Sequence, residues 1–153
     1  MSRTNNRNGE LVLVTGATGY IGGRLVPRLI ESGYRVRCLV RDAARLQGRP
    51  WHDAVEVVAG DVLEPESLAA AMRDVDVAYY LVHSLGSGAD YHQRDLRAAT
   101  NFGETARAAG VGRIIFLGGL AEATPDLSKH LQSRQQTCDA LRAAGVPTTE
   151  FRA

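Results

Sequence analysis

One stretch decides the fold of this chain: Thr15-Gly16-Ala17-Thr18-Gly19-Tyr20-Ile21-Gly22. Before it stands a short apolar, β-branched run at residues 11–14, which is typical of a buried parallel strand. After it, apolar residues recur near helical spacing from Tyr20 to Glu31, and Ser32-Gly33 supplies a helix stop. The glycines therefore lie where a strand turns directly into a helix.

Each glycine of this loop has a physical role. Gly16 permits a tight turn, Gly19 lets the backbone approach a pyrophosphate, and Gly22 lets helix and strand pack closely. The free N–H groups and partial positive charge of a helix N-terminus then attract an anion. A tight turn without a ligand is the alternative interpretation. We predict that a dinucleotide is held here by Gly16, Thr18, Gly19, Tyr20, Ile21 and Gly22.

The alternation of strand and helix continues along the chain. Strands are predicted at residues 35–40, 55–58, 75–82, 113–117 and 148–152, and helices at 20–31, 64–73, 90–109 and 126–144. This pattern predicts an α/β fold, a doubly wound parallel sheet of the Rossmann type with strand order 3-2-1-4-5-6. Its ligand crevice opens at the carboxyl ends of strands one and four. Pro27, inside the first helix, predicts a bend there.

Composition restricts the function classes. The chain has 153 residues, 44% of them hydrophobic and 23% charged, with 18 basic and 17 acidic side chains that nearly cancel. This balance favours a soluble globular protein and gives no electrostatic case for binding nucleic acid or a membrane. Without a signal peptide or membrane span, we expect a cytoplasmic protein with a flexible tail at residues 1–10 and one domain at 11–153. Cys38 and Cys138 lack disulfide or metal spacing, so we expect both to be reduced and buried, and no bound metal.

The end of the second strand bears on which dinucleotide binds. An acidic residue about 20 positions beyond the glycines would hydrogen-bond the ribose of NAD, but Arg41 stands there. A guanidinium pairs with a 2′-phosphate through charge-assisted hydrogen bonds, so we predict NADP, with NAD as the alternative. Asp42 could hold a ribose hydroxyl but is better placed to cap the following turn. Arg37 and Arg45 are second-rank candidates, and Arg41 could also be a solvated surface residue.

The glycine loop resembles the TGATGxxG signature of the extended and atypical short-chain dehydrogenase/reductase superfamily. Three further segments are similar to landmarks of that superfamily and occur in the same order: Leu39-Val40-Arg41-Asp42, Gly60-Asp61-Val62 and Ala108-Ala109-Gly110-Val111. The resemblance covers about residues 11–153. It is closest to the atypical branch that includes NmrA-like proteins and the NADPH-holding accessory subunit of respiratory complex I. It implies a Rossmann fold that binds NAD(P).

The resemblance also implies further cofactor contacts. Asp61 matches the family's adenine-contacting aspartate, with Val62 beside it, although Asp61 could equally be a turn residue. After the fourth strand, Leu81, Val82 and His83 would line the middle of the cofactor. A loop histidine without a role is the alternative interpretation of His83.

The family's usual catalytic pair is missing. Orthodox members use Tyr-x-x-x-Lys on a helix, but the only lysine here is Lys129, and Pro125 stands four residues before it. The resemblance places His130 and Arg134 at the two positions, one helical turn apart. Orthodox members also have a helping serine on the loop after the fifth strand, and Gly118-Gly119 stand at about that position here. His130 could act as acid or base, with Arg134 as a fixed charge that lowers its pKa. Alternatively, both are polar groups that face the crevice without chemistry.

We therefore expect an NADP(H)-favouring domain of an oxidoreductase acting on an unknown small molecule. The alternatives are a non-catalytic NADP-sensing regulator or assembly factor, and a relative of nucleotide-sugar epimerases and dehydratases. Tyr91 and His92 are expected at the helix entry or on the crevice wall. Family members continue past the sixth strand, so a substrate region is expected to follow Ala153 in a longer protein. The sheet edge at that strand predicts self-association.

Overall fold

The computed structural model describes residues 9–82, 89–119 and 129–153. Within these ranges strands and helices alternate, as the apolar periodicity predicted. The strands are β1 (Leu11–Thr15), β2 (Arg35–Val40), β3 (Glu56–Ala59), β4 (Val77–Tyr80), β5 (Arg113–Gly118) and β6 (Thr148–Arg152). The helices are α1 (Tyr20–Glu31), α2 (Pro65–Ala71), α3 (Ala89–Ala109) and α4 (Lys129–Ala143), and two 3₁₀ turns cover Ala43–Leu46 and His52–Ala54.

The strands form one parallel sheet in the order β3-β2-β1-β4-β5-β6, which confirms the predicted doubly wound topology. β1 pairs in parallel with β2 on one side and with β4 on the other. The winding direction therefore switches at β1, and the crevice of such a sheet opens at the carboxyl ends of β1 and β4.

Both faces of the sheet are buried, which is why its strands read as continuous apolar runs. Successive side chains of β1 alternate between two cores. Leu11 and Leu13 join the cluster that includes residues of α2, α3 and α4, while Val12 and Val14 join the cluster that includes residues of α1. The strand that precedes the glycine loop is thus held from both sides.

Some element ends differ from the predictions. β4 is shorter than the predicted 75–82, because the Val75 N–H bonds the Met72 carbonyl in a turn before the strand. Leu81 and Val82 follow the last residue of that strand. The apolar run at this position extends past both ends of the paired strand, so hydropathy alone overestimates the length of the strand.

Smaller shifts affect other elements, including α3, which begins one residue earlier than predicted, and β5, which ends one residue later. β3 lies one residue later than predicted, at Glu56–Ala59. α2 begins at Pro65, whose fixed φ suits a first helical turn, and ends two residues earlier than predicted, at Ala71. α4 begins at Lys129 within the described part of the chain, and the predicted start at 126–128 lies outside it.

α1 runs unbroken through Pro27, so the expected bend does not interrupt the helix. Its buried residues Gly22, Val26 and Leu29 flank the proline on both sides. That burial stabilises the helix although Pro27 cannot donate a backbone hydrogen bond.

The two cysteines, Cys38 and Cys138, are free and buried, as expected. Cys38 is fully buried and Cys138 is 1% exposed. Among the helices of the described ranges, none is long and apolar enough to cross a membrane.

Candidate dinucleotide-binding site

The Thr15 hydroxyl joins the ends of the two strands between which the winding switches. It donates to the Tyr79 carbonyl oxygen at 2.8 Å and accepts from the Leu81 N–H at 3.3 Å. Thr15 is 1% exposed, so these hydrogen bonds satisfy a buried polar group. They fix the mouth of the crevice at the carboxyl ends of β1 and β4.

Close packing of the loop after β1 explains its glycine spacing. Gly16 has a φ of +77°, and a Cβ there would lie 2.9 Å from the Leu81 carbonyl oxygen. The Gly19 N–H bonds the Gly16 carbonyl at 3.0 Å. A Cβ on Gly22 would overlap that same carbonyl. Gly16 and Gly22 thus have the roles predicted for a tight turn and a close helix approach.

The first turn of α1 is open to an anion. Its N-cap, Gly19, has no side chain to bond the first N–H groups, and the turn contains no acidic residue. Tyr20 is 71% exposed, with the Arg24 guanidinium 3.6 Å from its ring centroid, and Ile21 is 47% exposed. Neither side chain lines the cleft described next. What this turn offers an anion is its backbone N–H groups.

A cleft of about 450 Å³ lies beside this loop. Four parts of the chain line it: the glycine loop, the end of β2 with the turn after it, the segment after β3, and the end of β4 with the first half of α3. The lining residues are Thr15, Gly16, Thr18, Leu39, Val40, Arg41, Asp42, Arg45, Gly60, Asp61, Val62, Leu63, Tyr80, Val82, Tyr91, Arg94, Asp95 and Ala98.

The residues after β2 give the cleft a cationic end. Arg41 and Arg45 both line it. The Asp42 carboxylate accepts from the Ala44 N–H at 3.0 Å and so caps the first 3₁₀ turn, which confirms the predicted capping role. Arg37 is not among the lining residues.

The Arg37 guanidinium is used elsewhere in the fold. It donates to the Glu56 carboxylate at 2.9 Å and to the carbonyls of Ala71 and Arg73 at 2.7 Å each. These bonds tie β2 to β3 and to the end of α2. Arg37 is therefore a structural residue, and the second-rank candidates reduce to Arg45.

Asp61 is a turn residue, one of the two roles that the sequence allowed, and it also lines the cleft. Its carboxylate accepts from the Leu63 N–H at 2.9 Å, which is a turn, and the residue lines the cleft together with Val62. The Ser67 hydroxyl fixes the backbone of Asp61 by bonding its N–H and its carbonyl, both at 2.9 Å. These bonds tie this wall of the cleft to α2.

The two described residues that follow β4 have different roles. Val82 lines the cleft, whereas Leu81 packs against the core and places its carbonyl against Gly16. His83 lies outside the described residues. Tyr91 lines the cleft as expected for a wall residue, and His92 turns to α4, where its Nδ1 lies 3.3 Å from the Ser133 hydroxyl.

Sequence reasoning missed part of the wall, namely Tyr80, Arg94, Asp95 and Ala98. Tyr80 is 1% exposed, and its ring packs edge-on against Phe102 with centroids 4.9 Å apart. Burial raises the pKa of Tyr80, and the nearby Asp95 carboxylate raises it further. One signal was available: the helix that follows the switch-point strand must begin at the crevice.

His130 and Arg134 do not line the cleft. His130 is exposed in the first turn of α4. The Arg134 guanidinium donates to the Leu117 carbonyl at the end of β5 and lies 4.6 Å from the Phe116 ring centroid. Burial lowers the pKa of Arg134, yet an arginine keeps its charge in a protein. Arg134 therefore fastens α4 to the sheet.

Side chains lie close to Gly118 and Gly119, the residues predicted to stand at the position of the family's serine. A Cβ on Gly118 would overlap the Glu150 carboxylate, and a Cβ on Gly119 would lie 2.6 Å from a methyl group of Leu131. Glu150 comes from β6, and its side chain is 11% exposed. The space beside both glycines is thus already filled by side chains.

Residues 16–147 match the family described as NAD(P)H-binding, and the chain belongs to this family. The match confirms the prediction of an NAD(P)-binding domain and fits the resemblance to atypical short-chain dehydrogenase/reductases.

Two curated relatives are reductases. The chain is 38% identical over 141 residues to the ceramide reductase of Caulobacter vibrioides, covering 88% of this chain and 42% of that protein. It is 37% identical over 143 residues to the (4-alkanoyl-5-oxo-2,5-dihydrofuran-3-yl)methyl phosphate reductase of Streptomyces griseus, covering 93% and 46%. The chain thus spans less than half the length of either relative.

Among solved structures, the triphenylmethane reductase of Citrobacter sp. complexed with NADP(H) is similar, with a TM-score of 0.74 and 28% identity. The similarity covers 92% of this chain and 48% of that one. This chain therefore spans about half the length of that structure, as it does of the curated relatives.

Proposed function

We propose that the cleft binds NADP(H) and that residues 11–153 form the dinucleotide-binding unit of an NADPH-dependent reductase. The observation that carries the choice of cofactor is the pair of guanidinium side chains, Arg41 and Arg45, on the cleft wall after β2. In this fold, that position meets the ribose 2′ substituent of a dinucleotide.

Charge favours the phosphorylated ribose. The carboxylate that could compete, Asp42, accepts a hydrogen bond from the Ala44 N–H and caps the 3₁₀ turn. Two arginines can then face one phosphate. A charge-assisted hydrogen bond contributes about 1.5–3 kcal/mol, so losing one is expected to reduce affinity about 10- to 150-fold.

The chain's own groups divide the work of binding. Gly16, Thr18 and the first-turn N–H groups of α1 hold the pyrophosphate, and Gly19 leaves room for it. Asp61 and Val62 hold the adenosine end. Val82 and the first half of α3 lie alongside the rest of the cofactor, including its nicotinamide. When bound, the cofactor supplies hydride to the substrate.

Names of relatives support the reductase part of the proposal. Both curated relatives quoted above are named as reductases, and the similar solved structure is a reductase complexed with NADP(H). We propose that the substrate is a small organic molecule. Because those proteins are about twice as long, we also propose that a longer form of this protein binds part of the substrate.

His130 is the residue to test for proton transfer. A histidine exchanges protons near neutral pH, and the Arg134 side chain, one turn along α4, is held by the Leu117 carbonyl. In this proposal Arg134 positions α4 and does not touch the reacting atoms.

The test couples binding to turnover. NADPH, NADP, NADH and NAD are titrated into the purified protein, and NADPH oxidation is then followed by absorbance with carbonyl and enone substrates. Tight NADPH binding with turnover that falls in His130→Ala supports both parts. Measured on the longer form, binding of both redox forms without turnover would favour a nucleotide sensor over a reductase, and no binding of any dinucleotide would overturn the proposal.

A further inference from the structure

We propose that Arg49 is a positioning residue for the pyrophosphate, acting through the glycine loop. The inference rests on the proposed function, in which that loop holds the cofactor. Arg49 lies between the two 3₁₀ turns, far from the loop in sequence. Its guanidinium nevertheless donates from Nη2 to the Thr18 carbonyl oxygen at 3.0 Å.

A second contact fixes the other side of the guanidinium. A Cβ built on Gly23 would lie 2.9 Å from Nη1 of Arg49 and 3.4 Å from its Cζ. Because glycine has no side chain, the guanidinium can pack directly against the backbone of α1 there. Arg49 therefore contacts the loop before the helix N-cap, Gly19, and the backbone of α1 after it.

The backbone of Arg49 is held on both sides, which sets the direction of its side chain. Its N–H bonds the Leu46 carbonyl at 3.0 Å, and its carbonyl accepts from the His52 N–H at 3.0 Å. Leu46 is fully buried. The stretch of chain from Arg41 to Arg49 therefore links the cationic end of the cleft to the glycine loop.

The hydrogen bond to Thr18 fixes one peptide plane of the loop. That plane contains the Thr18 carbonyl and the Gly19 N–H. Arg49 holds the carbonyl at 3.0 Å, and the Gly16 carbonyl holds the N–H at 3.0 Å. With both ends held, the loop keeps one conformation between the cleft-lining Thr18 and the first turn of α1. Preorganisation of this kind strengthens binding without a direct contact.

The test compares two ligands on four proteins: the original chain, Arg49→Met, Gly23→Ala and the double variant. NADPH contains the pyrophosphate, whereas 2′-AMP carries the adenosine and 2′-phosphate without it. We expect Arg49→Met to bind NADPH about tenfold more weakly, the order of a lost charged hydrogen bond, and to bind 2′-AMP unchanged.

Gly23→Ala is the sharper variant. Its methyl group displaces the guanidinium, while alanine favours the helix more than glycine does, so the protein is expected to stay folded. We expect it to reproduce the NADPH loss of Arg49→Met, and the double variant to lose no more than either single one. Urea unfolding of each variant checks that the chain is folded.

The outcomes separate the two claims. Unchanged NADPH binding in Arg49→Met would overturn the role of Arg49 while leaving the proposed function intact. An equal loss of NADPH and 2′-AMP would do the same, because it would reveal a general effect on the fold. If the original chain bound neither ligand, the proposed function itself would fail.

Discussion

A Cβ atom on Gly22 would overlap the carbonyl oxygen of Gly16. The first turn of α1 thus packs directly on the turn that leaves β1, and both partners are backbone. By contrast, a Cβ on Gly19 would lie 3.3 Å from the same carbonyl, which a small shift can relieve. The glycines of one loop therefore separate into a packing position and a position left open for a ligand.

Gly22→Ala is expected to destabilise the protein. The added methyl group meets backbone atoms, and overpacking of this kind costs about 1–3 kcal/mol. Urea denaturation measures the loss in the free energy of unfolding. Gly48→Ala is the matched control, because a Cβ there meets nothing within 4 Å, and it should stay within about 0.5 kcal/mol. Equal stabilities of the two variants would refute the packing argument.

Gly19→Ala is expected to affect binding more than folding. Its φ of −80° suits any residue, so the free energy of unfolding should change little. The methyl group would stand where a pyrophosphate approaches the backbone, so NADPH affinity should fall at least about tenfold. Calorimetric titration measures the affinity. A variant that binds NADPH as the original chain does would show that the anion lies elsewhere.

Glu56 is expected to make stability depend on acid pH. The hydrogen bond from Arg37 lowers the pKa of Glu56, with a smaller contribution from Arg35. A lowered folded-state pKa contributes stability above the unfolded carboxyl value of about 4.3, and this stability is lost as pH falls through the folded value.

Glu56→Gln should therefore reduce the free energy of unfolding at pH 7, and the difference should shrink as the pH is lowered. Glu104→Gln, on an exposed position of α3, is the control and should show no such trend. Urea titrations across the acid range measure both variants. A pH-independent difference for Glu56→Gln would contradict the assignment.

The two cysteines are expected to resist modification. Burial raises the pKa of Cys38 to about 12 and that of Cys138 to about 11, so both stay thiols at neutral pH, and the thiolate is the reactive form. Mass spectrometry after iodoacetamide treatment should find neither labelled in the native protein and both labelled in guanidinium chloride. The raised pKa values also predict that stability falls as the pH rises above the unfolded thiol value of about 8.5.

Much of the fold could be predicted from the sequence, because local signals agreed with each other. The alternation of apolar strands with helices gave the strand order, and the run from Thr15 to Gly22 gave the switch point. The error at β4 has a simple cause: Val75 and Leu81 are apolar for packing reasons although they lie outside the paired residues.

The site could be predicted only where its residues are neighbours in sequence. The glycine loop, Arg41 and Asp61 each follow a strand, so position alone indicates them. Arg49 and Arg94 reach the site by tertiary packing, which no local pattern reports. For Arg134, position in the sequence was misleading. It matches the lysine of the family's catalytic pair, but its guanidinium bonds the Leu117 carbonyl and does not line the cleft.

In the proposed function, the cleft selects NADP(H) through Arg41. The most direct test is calorimetric titration of NADPH and NADH into the original chain and into Arg41→Ala. We predict that the original chain prefers NADPH, and that Arg41→Ala loses about 10- to 150-fold in NADPH affinity while NADH binding is unchanged. Equal affinities for NADPH and NADH in the original chain, or an Arg41→Ala variant that keeps the preference, would show that Arg41 does not select the cofactor.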